Sequence, residues 1–160
     1  FLSVIFWDEE KMLLKYRGML KDDMGEENGV LIVDETGFPK KGNDSAGVAK
    51  QYCGTLGKVE NCQVGVFIAY ASMHGYALLD KRLFLPEKWF TKEYKERREK
   101  CMVPKRLEFK TKPQLAVEMF QEIHEEGNIP FKYVVSDTLY GNSPEFIEAI
   151  EFSKGKIYFV

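Results

Sequence analysis

The chain has 160 residues, of which 44% are hydrophobic and 14% aromatic, and its formal net charge is −2. A chain of this length buries roughly 70% of its unfolded surface, which predicts one globular domain with a substantial core. The weakly acidic balance excludes the overall basic character of many nucleic-acid-binding proteins, so a nucleic-acid role would depend on local patches.

The first half of the chain predicts one helix and three strands. Helix-forming residues over Trp7–Leu20 carry a helically spaced apolar stripe. The apolar run VLIV predicts a strand over residues 30–34 that is buried on both faces, with Asp34 at its C-terminal end. The runs CQVGVFIAYAS and YALLDKRLFL predict strands at 62–72 and 76–84 around the turn MHG.

The second half predicts alternating helices and strands. Residues 86–110 are densely charged and are interpreted as a solvated helix or an insertion. A T-x-x-Q capping box starting at Thr111 predicts a helix over Gln114–Glu126 that ends at Gly127.

The end of the chain completes the predicted sheet. A strand at 131–136 runs into Asp137, and Ser143 with Pro144 opens the next helix. The final strand covers residues 156–160. The order predicts an α/β fold with a mixed five-stranded sheet flanked by helices.

Two predicted strands end in an aspartate, Asp34 and Asp137. Carboxylates at the ends of neighbouring strands could converge on a divalent cation such as Mg²⁺, which prefers oxygen ligands. Alternatively, both residues make only local hydrogen bonds at strand ends, as many aspartates do. The residues alone leave both interpretations open.

Five stretches follow one another along the chain: VLIVDETGFPKKG, GVAKQYCGTLGKVENCQVGVFIAYAS, LFLPEKW, FKTKPQLAVEM and PFKYVVSDTLYG. They resemble successive blocks of the bacterial insertion-sequence DDE transposases, with the insertion-sequence 701 type as the nearest branch. The resemblance implies a ribonuclease-H-like core that binds two Mg²⁺ or Mn²⁺ ions through an Asp, Asp, Glu triad and cleaves and joins DNA. Asp34 matches the first acid and Asp137 the second.

The resemblance also implies partners and a missing residue. The partners are transposon ends, target DNA and a second protomer in a synaptic complex. The third acid lies on a helix after the last core strand in the family, whereas Glu145, Glu148 and Glu151 come too early in this sequence. We therefore expect residues 1–160 to be a catalytic core that is truncated before the third acid and inactive alone.

Residues near the two aspartates are candidates for supporting the site or for contacting DNA. Glu35 follows Asp34 and points to the opposite face of an extended strand, so a structural or outer-shell role is expected. Lys40 and Lys41 are candidates for DNA phosphate contacts, with surface solvation as the alternative. Lys112 and Tyr140 are further DNA-contact candidates through the resemblance.

The cysteines and the hydropathy of the chain indicate the compartment in which it acts. Cys53, Cys62 and Cys101 lack metal-ligand spacing, which predicts ordinary thiols in a reducing cytoplasm rather than a zinc site. No apolar run reaches the roughly 18 residues of a membrane span, so no membrane partner is expected.

Two alternative functions remain open. One is a non-catalytic DNA-binding or assembly relic of such a domain. The other is a haloacid-dehalogenase-type phosphatase, whose usual second acid is replaced by Thr36 in this sequence.

Overall fold

The computed structural model describes residues 8–153 and 156–157. The strands are β1 (Val30–Pro39), β2 (Ala49–Cys53), β3 (Lys58–Ser72), β4 (Gly75–Phe84), β5 (Tyr133–Ser136) and β6 (Lys156–Ile157). The helices are α1 (Glu9–Met24), α2 (Lys95–Lys100), α3 (Lys112–Glu126), α4 (Thr138–Gly141) and α5 (Pro144–Phe152). Trp7 of the first predicted helix and residues 158–160 of the last predicted strand lie outside the described residues.

One mixed sheet contains all these strands, in the order β2-β3-β1-β5-β6 with β4 also beside β3. β1, β3 and β4 pair antiparallel, whereas β5 runs parallel to β1 and β6 runs parallel to β5. The predicted fold class is confirmed, because this is a ribonuclease-H-like α/β arrangement. The sheet has one strand more than predicted, since β2 pairs with the first residues of the long β3.

The core lies between one face of the sheet and the helices. The buried strand residues alternate along the chain: Leu31, Val33, Val66, Ile68, Tyr70 and Leu79. α3 packs against them with a stripe that the sequence predicted: Leu115, Met119, Phe120 and Ile123. The prediction that β1 is buried on both faces is wrong, because Ile32 is 37% exposed. Within the described residues the helices contribute to the core on one face of β1 only.

The helix boundaries follow local capping chemistry. Thr111 and Gln114 form the predicted reciprocal capping box at the start of α3, and Gly127 ends α3 with a positive φ of 61°. Ser143 caps α5, with Pro144 at the first helical position. None of the helices in residues 8–153 is long and apolar enough to cross a membrane.

α1 is anchored by a buried charged residue in addition to part of the predicted apolar stripe, of which Leu20 packs against the core. Tyr16 is 37% exposed, whereas Arg17 is 1% exposed. The Arg17 guanidinium forms ion pairs with Asp80 of β4 and Glu126 of α3. Burial of a charge is tolerated here because each charged group has hydrogen-bonding partners.

The charged segment 86–110 is more than a solvated surface. Trp89 is fully buried, and its indole N–H donates to the Val48 carbonyl at 3.1 Å. Arg97 stacks over the Trp89 ring at 4.9 Å and donates from Nε to the Asn43 carbonyl at 2.8 Å. The segment therefore packs against the loop of residues 40–48, which follows β1.

Candidate metal centre

Two acidic side chains meet where the pairing of β1 with β5 ends. The parallel register pairs Val30 with Tyr133 and finishes at Val33 and Ser136. Asp34 and Asp137 are the next residues of the two chains in that same register. One carboxylate oxygen each of Asp34, Asp137 and Glu35 lies within 4.8 Å of the others.

β1 does not end at Asp34, contrary to the prediction. The strand continues to Pro39, where it still pairs with Cys62 of β3. The continuation is possible because β3 is 15 residues long and offers β1 a partner beyond the last pair with β5. Asp34 therefore marks the end of the β1–β5 pairing, and only β5 terminates at the acidic cluster.

Asp137 is held in place as the N-cap residue of α4. Its Oδ1 accepts hydrogen bonds from the backbone N–H of Leu139 at 2.9 Å and of Tyr140 at 3.4 Å. This geometry ends β5 and begins the helix within one residue. The side chain is exposed, and Oδ2 has no hydrogen-bond partner among the described residues.

Asp34 points to the face of the sheet that the described helices leave open. Its Oδ1 accepts from the backbone N–H of Glu35 at 2.7 Å, and the residue is exposed. A shallow cavity of about 440 Å³ lies beside it. The cavity is lined mainly by apolar side chains: Ile32, Phe38, Phe67, Ala69 and Leu78, with Thr36.

Glu35 joins the cluster although sequence reasoning placed it on the opposite face. Its backbone position alternates with Asp34, but its longer side chain brings an oxygen within 4.8 Å of the two aspartates. Oε1 accepts from Lys112 Nζ at 2.6 Å and Oε2 accepts from the Tyr140 hydroxyl at 2.6 Å. Both oxygens are therefore engaged by protein groups, in agreement with an outer-shell role.

Lys112 and Tyr140, the DNA-contact candidates near the centre, both lie against Glu35. The Lys112 side chain is 21% exposed and its ammonium sits 5.7 Å from the centre of the Phe84 ring. Tyr140 is fully buried. Burial and the neighbouring Glu35 carboxylate raise the pKa of Tyr140 far above its usual range, so the phenol remains protonated and donates its hydrogen.

The remaining DNA-contact candidates lie at the far end of β1. Lys40 and Lys41 are exposed and directly follow Pro39. Six residue steps separate Lys40 from Asp34, which corresponds to about 20 Å along an extended strand. The sequence predicts these lysines near the acidic site, but the length of β1 separates them from it.

The α5 glutamates belong to a different surface. Glu145 and Glu148 line a groove of about 820 Å³ between α3 and α5. In the part of the chain that the structure describes, the only group of three side chains with metal-binding proximity is Asp34, Glu35 and Asp137. The third acid of the triad therefore has no assignment on α5.

The donor set fits a hard divalent cation. Carboxylate oxygens are the ligands that Mg²⁺ and Mn²⁺ prefer. Lys112 offsets the charge of Glu35, which leaves the two negative charges of Asp34 and Asp137 to match one dication. Both aspartates are exposed, so an ion could enter from solvent.

Comparison with known proteins identifies a family that the chain matches. The DDE superfamily endonuclease family matches residues 1–153. The chain is also 30% identical over 152 residues to the probable transposase for insertion sequence element IS701 from Microchaete diplosiphon. That match covers 94% of this chain and 36% of the relative, so the chain spans about a third of the relative's length. No solved structure gives a significant match.

The comparisons and the fold agree with each other. An α/β sheet in which parallel pairing ends at two aspartates is the arrangement that the resemblance implied, and the family match covers all the strands from β1 to β5. This agreement favours a nuclease over the phosphatase alternative. With its fold, its acidic cluster and its sequence in accord, the chain belongs to the DDE superfamily endonucleases.

Proposed function

We propose that Asp34 and Asp137 are the first two acids of a metal-dependent centre that cleaves and joins DNA at insertion-sequence ends. The observation that supports this most directly is the parallel pairing of β1 with β5, which ends one residue before each of the two aspartates. The reaction class is suggested by the family and by the relative from Microchaete diplosiphon, which carries the name of a probable transposase.

The proposed cofactor is Mg²⁺ or Mn²⁺, with two ions in the complete site. When bound, such ions polarise the phosphate and lower the pKa of the attacking water or hydroxyl. Asp34 and Asp137 would hold one ion through the oxygens that make no hydrogen bond within the described residues. The backbone N–H groups of Leu139 and Tyr140 orient the Asp137 carboxylate for this role.

The third acid is proposed to come from outside these 160 residues. Glu145 and Glu148 line the groove between α3 and α5, and both oxygens of Glu35 are engaged. Residues 1–160 are accordingly proposed to be a catalytic core, with residues 86–110 as a charged insertion that braces the loop after β1.

The proposed partners are transposon ends, target DNA and a second protomer in a synaptic complex, all in the cytoplasm. Lys40 and Lys41 are exposed and suited to phosphate contacts away from the reacting centre. Lys112 retains some exposure and could approach a phosphate near the acids. The burial of Tyr140 favours a positioning role over direct DNA contact.

Metal titration tests the centre in this chain. We expect Mn²⁺ to broaden the nuclear magnetic resonance signals of Asp34 and Asp137 at millimolar concentration, and the Asp34→Asn and Asp137→Asn variants to lose this binding. Glu148→Gln is the matched control, because it removes an exposed carboxylate on α5 without touching the cluster. Unchanged signals in the unmodified chain at millimolar Mn²⁺ would refute the metal site.

DNA cleavage tests the proposed reaction. Because a catalytic unit loses several orders of magnitude when one member is absent, we expect negligible nicking by the 160 residues alone. In a full-length transposase containing this core, Asp34→Asn or Asp137→Asn should abolish Mg²⁺-dependent nicking and joining of transposon-end DNA. Full activity in either variant would overturn the assignment, and inactivity of the unmodified longer protein would favour a non-catalytic relic.

A further inference from the structure

Tyr140 connects the two acids of the proposed centre. Its backbone N–H donates to Asp137 Oδ1 at 3.4 Å, and its hydroxyl donates to Glu35 Oε2 at 2.6 Å. The backbone N–H of Glu35 in turn donates to Asp34 Oδ1 at 2.7 Å. Three hydrogen bonds, joined through the covalent frames of Tyr140 and Glu35, therefore link Asp137 to Asp34.

The middle of this path is fixed by packing. Tyr140 is fully buried, and its ring centroid lies 5.7 Å from that of Phe146 in α5. Glu35 is held from its other side by Lys112 at the first position of α3. β1, α3 and α4 are thus joined at Glu35, so neither Glu35 nor Tyr140 can shift without disturbing its partners.

We propose that Tyr140 and Glu35 are positioning residues that set the separation of the Asp34 and Asp137 carboxylates before an ion binds. The expected effect on metal binding rests on the proposed function, whereas the effect on the spacing of the two carboxylates does not. Hydrogen bonds from the surrounding protein orient metal ligands in this way, and their loss typically weakens metal binding about 10- to 100-fold.

A competing interpretation makes Glu35 a direct ligand, because one of its oxygens lies within 4.8 Å of the two aspartates. The two interpretations predict opposite effects of removing the Tyr140 hydroxyl. If Glu35 is a positioning residue, the acids lose their fixed separation and metal affinity falls. If Glu35 is a ligand restrained by Tyr140, one of its oxygens is released and metal affinity rises.

Tyr140→Phe is therefore the informative variant, since it removes the hydroxyl and retains the ring. The matched control is Tyr70→Phe, which also removes a fully buried phenol hydroxyl. That hydroxyl bonds the Glu26 backbone, in the loop before β1. Calorimetric titration with Mn²⁺ should show affinity about 10- to 100-fold weaker in Tyr140→Phe and unchanged in Tyr70→Phe. Unchanged or tighter binding in Tyr140→Phe would overturn the proposal.

A measurement without metal separates this proposal from the proposed function. We expect the carboxyl-carbon resonance of Asp34 to shift in metal-free Tyr140→Phe, although Tyr140 makes no hydrogen bond to Asp34, and to stay in place in Tyr70→Phe. An unmoved Asp34 resonance would refute the positioning role even if the chain binds Mn²⁺. A shifted resonance in a chain that binds no Mn²⁺ would uphold the positioning role and refute only the metal site.

Discussion

Arg17 Nη2 lies 2.9 Å from Asp80 Oδ2, and both side chains are almost completely buried. The same guanidinium donates from Nε to the Leu79 carbonyl and forms an ion pair with Glu126. One side chain of α1 therefore binds both β4 and α3, at the edge of the core.

The first prediction concerns the stability that this buried pair provides. Arg17→Met removes the ion-pair partner of Glu126 and leaves Asp80 paired with Arg82 alone, so the free energy of unfolding should fall by about 3 kcal/mol. Urea denaturation measures the change. Lys11→Met is the control, because its ion pair with Asp8 is largely exposed and should contribute at most about 1 kcal/mol. Equal losses in the two variants would contradict the structural role of Arg17.

The second prediction separates the two functions of Asp137, as helix cap and as proposed ligand. Asp137→Asn keeps an acceptor oxygen for the Leu139 and Tyr140 N–H groups, so stability should change little. Asp137→Ala removes the cap and should cost about 1 kcal/mol. Both variants should lose Mn²⁺ binding, which titration and thermal denaturation of the same samples would check. Retention of binding in Asp137→Asn would show that the carboxylate charge is not needed.

The third prediction concerns the reactivity of the cysteines. Cys53 and Cys62 are buried free thiols, whereas Cys101 is partly exposed. Burial and the neighbouring Cys53 raise the pKa of Cys62 to about 11. Since the thiolate is the nucleophile, only about one Cys62 in a thousand is reactive at pH 8, and the fraction grows as the pH rises towards 11.

Alkylation followed by mass spectrometry tests this difference. Iodoacetamide at pH 8 should label Cys101 in the folded chain and leave Cys53 and Cys62 unlabelled. All three should react in concentrated urea, which serves as the control. Rapid labelling of Cys62 in the folded chain would contradict its burial between the strands.

The fourth prediction concerns the contact between segment 86–110 and the loop of residues 40–48. Arg97→Gln removes the guanidinium that stacks on Trp89 and donates to the Asn43 carbonyl. Backbone amides of the loop should then exchange hydrogen with solvent more rapidly, because the loop loses one of the contacts that hold it. Lys95→Gln, at an exposed position of α2, is the control and should leave exchange unchanged. Unaltered exchange in Arg97→Gln would show that the loop is held by other contacts.

Local sequence signals predicted the parts of the fold that local chemistry determines. The T-x-x-Q pattern at Thr111 and the Ser143–Pro144 pair predicted the caps of α3 and α5, although α3 begins at Lys112, two residues before the predicted Gln114. The adjacency of the strands before Asp34 and Asp137 followed from two apolar runs joined through a crossover helix. Each of these predictions depends on a few neighbouring residues or on a general rule of chain topology.

The wrong predictions depended on contacts between distant residues. β1 extends past Asp34 because β3 offers a partner there, and no residue of VLIVDETG signals the length of another strand. Arg17 is buried because Asp80 and Glu126 surround it, which a helical stripe cannot reveal. Glu35 reaches the acidic cluster through the length and conformation of its side chain, whereas strand alternation describes only the Cβ direction.

The continuation of β1 beyond Asp34 sets the distance between this acid and the lysines that follow the strand. About 20 Å of paired strand separates this acid from Lys40, and duplex DNA rises about 3.4 Å per base pair. Under the proposed function, a duplex that lies along β1 with a phosphate at Asp34 would meet the two lysines about six base pairs away, slightly more than half a helical turn. Because β3 pairs with β1 as far as Pro39, the sheet sets the distance from Asp34 to the start of the loop that carries the lysines.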